Sequence, residues 1–262
     1  MNHIKHTIQN SVAIITLNRP EVLNSFNKQM AEELQTVLQE AKTNSSVRSI
    51  LVTGEGRAFC AGQDLAEAIP HNDIPPKQTI GEIVRENYNP IIILLRTIEK
   101  PVVCAVNGVA AGAGANIALA CDIVLASTEA TFIQSFSKIG LIPDSGGTFF
   151  LPRLVGFQRA TAMMMFAEKI SAQQAYEWGM VYKVYESNLL LDEALKVATH
   201  LATQPTAGFG LLKRALNTSL TNDISAQLEE EAQLQELAGK TKDYQEGVKA
   251  FLEKRKPVFK GE

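Results

Sequence analysis

Apolar and polar residues alternate over residues 4–8 and again over 12–17, with Gln9-Asn10-Ser11 between, which predicts two short strands joined by a tight turn. Met30, Leu34, Val37, Leu38 and Ala41 then recur at helical spacing, predicting an amphipathic helix of about four turns. The run S-I-L-V-T-G at Ser49–Gly54 has the apolar density of a buried strand. Residues 70–77, with Pro70, Pro75 and Pro76, predict the clearest and most mobile loop. A long helical pattern over about 79–98 leads to a second buried strand at Val102–Val106, then a helix from about Ala113 and strands at 123–126 and 131–134. Repeated strand-then-helix units predict right-handed ββα turns in an α/β fold, not a sandwich or a bundle. From about Gly146 the pattern is almost wholly helical, including residues 171–178, 189–203 and 223–255, and Ser171 followed by Gln174 is a capping-box pair. No internal sequence repeat is visible.

Two segments break this pattern in a way that suggests chemistry. Residues 107–116, N-G-V-A-A-G-A-G-A-N, carry almost no side chain and sit between a strand-like and a helix-like run. Small residues at such a junction let a ligand approach backbone N–H groups near the positive end of a helix, although tight helix packing gives the same composition. About thirty residues later, I-P-D-S-G-G places one carboxylate, Asp144, among apolar and glycine neighbours. Bare amides for a developing negative charge plus one base suit proton transfer beside a carbonyl, while an Asx-turn or helix cap is the plainer use of the aspartate. The glycines do not follow GxGxxG and there is no Walker lysine, which argues against a dinucleotide or phosphate cradle.

With 262 residues the chain can bury a substantial core. Its 25 basic and 28 acidic residues give a net charge of −3, which argues against nucleic-acid and anionic-membrane surfaces. Apolar runs fall short of the roughly 18–20 residues of a spanning helix, and residues 1–10 lack a signal-peptide hydrophobic region, so a cytoplasmic location is expected. Cys60, Cys104 and Cys121 lie singly in apolar runs and draw neither a disulfide framework nor a metal site. His3, His6, His71 and His200 lie far from the two segments, so no metal is expected. Glu229–Glu231 reads as a solvated helix face.

The strand at 49–54 runs into E-G-R-A-F-C-A-G-Q-D-L. Three ordered segments, A-F-C-A-G-Q-D-L, then N-G-x-A-x-G-x-G-x-N with A-L-A-C-D-I, then G-L-I-P-D-S-G-G-T, resemble the crotonase (enoyl-CoA hydratase/isomerase) superfamily. The resemblance runs from N-R-P-E-V-L-N-S-F at 18–26 to E-G-V-K-A-F-L-E-K-R at 246–255. Within the superfamily, I-P-D-S-G-G-T, L-A-T-Q-P-T and A-Y-E-W-G-M look like the ring-1,2-epoxyphenylacetyl-CoA isomerase branch of phenylacetate breakdown. The resemblance implies a spiral ββα catalytic core over 1–195 and a C-terminal helical trimerisation region over 196–262.

It also implies an oxyanion hole from the main-chain N–H groups of Gln63 and Ala113. The two glutamates of the family's hydratases fall here on Asn116 and Phe136, so both acids are missing and efficient hydration is not expected. Asp144 falls where some isomerases of the family keep a carboxylate, and it becomes the proton-transfer base; Asn116 orients substrate or bonds a departing oxygen, with helix-interior packing as the alternative. Coenzyme A, as part of the substrate and not a separate cofactor, is expected against Val22, Asn24, Phe59, Ala61, Asp64 and Leu65, several of which suit an ordinary core equally well. Phe132, Phe136, Phe149 and residues 163–165 are acyl-pocket candidates with core packing as the alternative. Phe251 and Lys254 are expected to reach the coenzyme A site of an adjacent subunit in a homotrimer or hexamer, with a hydratase of the same superfamily as a further possible partner. The rival functions are a cis-3/trans-2 enoyl-CoA isomerase, an enoyl-CoA hydratase, and a non-catalytic CoA-binding scaffold.

Overall fold

Through its middle, the chain deals its strands alternately to two sheets. In a computed structural model that describes residues 1–65 and 78–262, β1 (Ile4–Gln9), β2 (Val12–Leu17), β3 (Ser49–Gly54), β5 (Val102–Val106), β7 (Ile123–Ser127) and β10 (Lys183–Tyr185) form a six-stranded sheet in that order. A second sheet has the order β4 (Ala58–Cys60), β6 (Val109–Ala111), β8 (Thr131–Ile133), β9 (Ile170–Ser171). Pairing is parallel except for β1 with β2 and β8 with β9. Each of the pairs β3–β4, β5–β6 and β7–β8 thus adds one strand to each sheet before helix follows, the expected ββα spiral. The repeat lies in the backbone path and not in the residues, which is why no sequence repeat announces it.

The amphipathic pattern near the start forms α1 (Lys28–Thr43), which buries Met30, Leu34, Val37, Leu38 and Ala41 as predicted and is capped by the Asn27 side chain. β3 and β5 read as continuous apolar runs because the large sheet is covered on both faces. One face belongs to the main core; against the other, Leu190, Ala194, Ala198 and Ala202 of α8 (Leu190–Ala202) pack on Val12, Leu51, Val103 and Leu125. Residue 195 therefore lies inside a helix that is part of the core packing.

The helix predicted over 79–98 is interrupted. Thr79 caps α2 (Ile80–Ile83) in a capping box with Glu82, a π turn follows at Val84–Tyr88, and α3 (Asn89–Thr97) completes it. Pro90 is the cause: it has no N–H for the carbonyl four residues back, Glu86, and its ring crowds that oxygen. The Gln35 side chain satisfies the freed carbonyls, donating to Glu86 O at 2.9 Å and Asn87 O at 3.2 Å.

After β6 comes α4 (Ala113–Leu119), buried along its whole length. α5 (Gly147–Val155), α6 (Phe157–Phe166), α7 (Ala172–Glu177) and α9 (Thr206–Thr218) follow, and the Ser171–Gln174 capping box is present. The run predicted over 223–255 is two helices, α10 (Ile224–Gly239) and α11 (Lys242–Leu252), separated where Thr241 caps the second. α9 is bolted to the core by Lys213, only 6% exposed, whose Nζ lies 2.7 Å from Asp122 Oδ2 and donates to Leu95 O and Lys100 O. The proline-rich segment 70–77 lies outside the described residues. Among those described, no helix is long and apolar enough to cross a membrane.

Candidate active site

The chain just before Gln63 meets the start of α4 where the small-residue junction folds. Gly62 has φ +98°, open to glycine alone at low cost, and a Cβ there would lie 3.1 Å from Ala111 O and 3.9 Å from Ala113 N. Gly62 and Gln63 therefore run against the start of α4. Gln63 forms a parallel bridge with Phe26, in which Phe26 N–H donates to Gly62 O and Asp64 N–H donates to Phe26 O. That pattern uses the Gly62 carbonyl and the Asp64 N–H, and no hydrogen bond among the described residues uses the N–H of Gln63. Ala113 is the first residue of α4, where an N–H has no acceptor within the helix. Gly114 lets α4 approach β4, since a Cβ there would stand 2.6 Å from Cys60 Sγ. Burial pushes the Cys60 thiol up to about 12, so this cysteine is an inert spacer.

Asn116, three residues and about 4.5 Å of helix rise beyond Ala113, is fully buried, and both ends of its amide are engaged. Nδ2 donates to Asp144 O at 2.8 Å, and Oδ1 accepts from Gln134 Nε2 at 2.7 Å. Its oxygen and one N–H are thus committed to the protein. Phe136, at the family's second acid position, is 7% exposed, and its ring edge lies 3.7 Å from where a Cβ on Gly112 would stand. An apolar ring thus backs the first turn of α4.

Asp144 begins a tight turn closed by Gly147 N–H donating to its carbonyl at 2.8 Å. Both central residues, Ser145 (φ +49°) and Gly146 (φ +75°), are left-handed. A buried serine in that region stores strain of about 1 kcal/mol or more, and its Oγ donates to Asp144 Oδ1 at 2.8 Å. Gly147 is glycine because a Cβ would run into Asn116. Burial raises the Asp144 pKa above its ordinary value of 3.8, and the Ser145 hydroxyl offsets part of the shift. The carboxyl borders a cavity of about 370 Å³ whose apolar wall is Ile80, Val84, Leu141, Ile142 and Pro143, with Arg85 and Asn89 also lining it.

The sequence matches the enoyl-CoA hydratase/isomerase family over residues 7–262. This chain is a member of that family. It is 48% identical to a 1,2-epoxyphenylacetyl-CoA isomerase of Escherichia coli K12, over 100% of this chain and 99% of the relative. It is 38% identical to a trans-2-decenoyl-[acyl-carrier-protein] isomerase of Streptococcus mutans, over 98% of each. A crystal structure of an enoyl-CoA hydratase from Bacillus anthracis superposes with a TM-score of 0.90 at 35% identity, covering 99% of this chain and 100% of the other.

Several residues expected to contact coenzyme A need correction. Asn24 is fully buried: its Nδ2 donates to Glu55 O and Ala58 O, and its Oδ1 accepts from Arg19 N–H. Phe59 is likewise 0% exposed in the core, so neither side chain has surface to offer a ligand. Asp64 is ion-paired with Arg19 at 2.9 Å. Val22, Ala61 and Leu65 keep open surface, and Ala61 N–H donates to Leu23 O beside Val22. Of the acyl-pocket candidates, Phe132 and Met163 are core, and Met165 is 71% exposed. Phe251 is 82% exposed, and Lys254 stands on the turn after α11. No hydrogen bond or ion pair among the described residues joins either to the groups around α4. Gln134, Ser145 and Gly147 were missed as supports; the glycine pair was the visible signal, and nothing local marks the glutamine.

Proposed function

We propose that this member of the family is an acyl-CoA isomerase that converts ring-1,2-epoxyphenylacetyl-CoA to oxepin-CoA in cytoplasmic phenylacetate breakdown. The observation that carries the reading is Asp144: it is the carboxylate left among the three family acid positions, 116, 136 and 144, and it faces an apolar cavity with a raised pKa. In its ionised form it takes the proton from the carbon beside the thioester. Charge moves to the thioester oxygen, where the N–H groups of Gln63 and Ala113 receive it; each such donor contributes roughly 2.7–4 kcal/mol to the transition state. The ring carbon–carbon bond bridged by the epoxide oxygen breaks while both carbon–oxygen bonds are kept, which gives a seven-membered ring; the electrons released at the α-carbon form a double bond to that ring, and protonated Asp144 returns the proton to a ring carbon. No water is consumed, which fits a site with an amide and a phenyl ring where hydratases hold glutamates. The cavity of about 370 Å³ has room for a ring, since an apolar cavity of roughly 150 Å³ takes up benzene.

A cis-3 to trans-2 enoyl-CoA shift needs the same base, and the 38% identical decenoyl isomerase supports it as the second reading. The same account assigns a trimer, paired into a hexamer, in which Phe251 and Lys254 reach the neighbouring coenzyme A; the exposure of Phe251 in the single chain supports this. The test offers ring-1,2-epoxyphenylacetyl-CoA, a cis-3-enoyl-CoA and crotonyl-CoA to the purified protein. The reading expects the highest kcat/KM for the epoxide and scarcely detectable crotonyl-CoA hydration. A crotonyl-CoA hydration rate matching that of dedicated hydratases overturns it.

A further inference from the structure

We propose that Gln134 is a positioning residue for Asp144, acting through Asn116 as a relay of two buried amides; the proposal rests on Asp144 being the base. The orientation of the relay is fixed from one end. The peptide oxygen of Asp144 can only accept, so the atom of Asn116 that faces it at 2.8 Å must be the nitrogen. Asn116 then presents its oxygen to Gln134, and Gln134 must present its own nitrogen at 2.7 Å. Neither glutamine nor asparagine can flip without setting two oxygens against each other.

The relay closes on both ends of one irregular segment. Gln134 follows β8 and precedes a short 3-10 helix at Ser135–Ile139, and the chain then runs without regular structure to the strained turn at Asp144. Asn116 sits on a helix buried throughout, so it ties the beginning and the end of residues 134–144 to the helix that begins at Ala113. Gln134 is 1% exposed, and its Oε1 is buried without a partner among the described residues. An unpaired buried carbonyl weakens a fold, so stability alone does not explain a glutamine here. The Nε2 donor is what the position supplies. A catalytic carboxylate displaced by about 1 Å can lose on the order of 10² in rate, which gives the clamp its purpose.

The test uses the full-length chain carrying Gln134→Met or Gln134→Glu, checked by melting and sedimentation, with turnover of ring-1,2-epoxyphenylacetyl-CoA measured across pH. Gln134→Met keeps the length and removes the donor: kcat should fall about 10- to 100-fold with KM unchanged within about twofold. Gln134→Glu keeps a donor while its new carboxyl is protonated and sets oxygen against oxygen once it ionises. It should therefore share the parent's acid limb, set by Asp144, and lose kcat on a new alkaline limb absent from the parent. A merely structural glutamine would lower the melting temperature but leave kcat per folded site and the pH profile alone, and that result overturns the relay. If Gln134→Met fails to fold, the alkaline limb of Gln134→Glu decides. Asp144→Asn is run alongside. Parental activity in Asp144→Asn overturns the base and the relay together, whereas an inactive Asp144→Asn beside fully active Gln134 variants overturns the relay alone.

Discussion

Adding one methyl group at Gly147 should damage both stability and turnover, against the usual preference of helices for alanine. Gly147 opens α5, where glycine to alanine would ordinarily stabilise by up to about 1 kcal/mol. Here the new Cβ would stand 2.8 Å from Asn116 Cγ, 2.9 Å from its Oδ1 and closer still to its Nδ2. Asn116 has nowhere to go: it is 0% exposed and bonded at both ends. Overpacking of this kind costs about 1–3 kcal/mol, and two displaced hydrogen bonds add roughly 1 kcal/mol each. After the helix preference is subtracted, a net loss of roughly 2–4 kcal/mol is expected. Release of the Asp144 carbonyl should lower kcat by about 10². Urea unfolding gives the first quantity and steady-state turnover the second. Gly208→Ala is the control, since Gly208 also lies early in a helix and a Cβ there meets nothing within 4 Å; it should be neutral or stabilising. Gly147→Ala with parental stability and kcat would refute the reasoning.

Three further outcomes follow from the same geometry. Because burial raises the Asp144 pKa, kcat/KM should fall on the acid side at a higher pH than an exposed aspartate would give. A raised folded pKa favours the neutral form, so its stabilising contribution is present below the unfolded value and lost as pH rises through the folded one; Asp144→Asn should therefore raise Tm near neutrality while cutting turnover at least ~10²-fold, and a fall in Tm contradicts this. Ala113→Pro removes an N–H at the first position of α4, where proline is tolerated, so kcat should drop about 10²–10³-fold with little change in Tm; surviving activity in a folded variant rules Ala113 out as a donor. Lys254→Glu should raise KM for CoA esters with kcat nearly unchanged, and mixing it with Asp144→Asn subunits should restore some native sites; a fully active monomer in sedimentation excludes the shared site.

How much of this was legible depended on the range of the interaction. β2, β3 and β5 and the buried stripe of α1 were readable because burial on one or two faces writes directly into apolar spacing. The Ser171 cap was a local signal and sits at a helix start, whereas the cap at Thr79 emerged only with the structure. Pro90 was visible too, yet its effect was not, because the π turn depends on Gln35, far off in the chain, taking over the freed carbonyls. The site divides the same way. Gly146 and Gly147 announce the tight turn at Asp144, whereas the pairing of Gln63 with Ala113 came from the resemblance to the superfamily and not from spacing. Asn24 and Phe59 were misassigned because a motif does not tell which of its residues face inward. The link between Gln134, Asn116 and Asp144 joins three positions that no periodicity relates.

The central claim, that Asp144 moves a proton and no water enters the product, is tested most directly by the mass and absorbance of what the protein makes from ring-1,2-epoxyphenylacetyl-CoA. The account predicts a product of unchanged mass with a new absorbance, formed by the parent and almost absent with Asp144→Asn. A product heavier by one water, or the same product formed at the parental rate by Asp144→Asn, would contradict it.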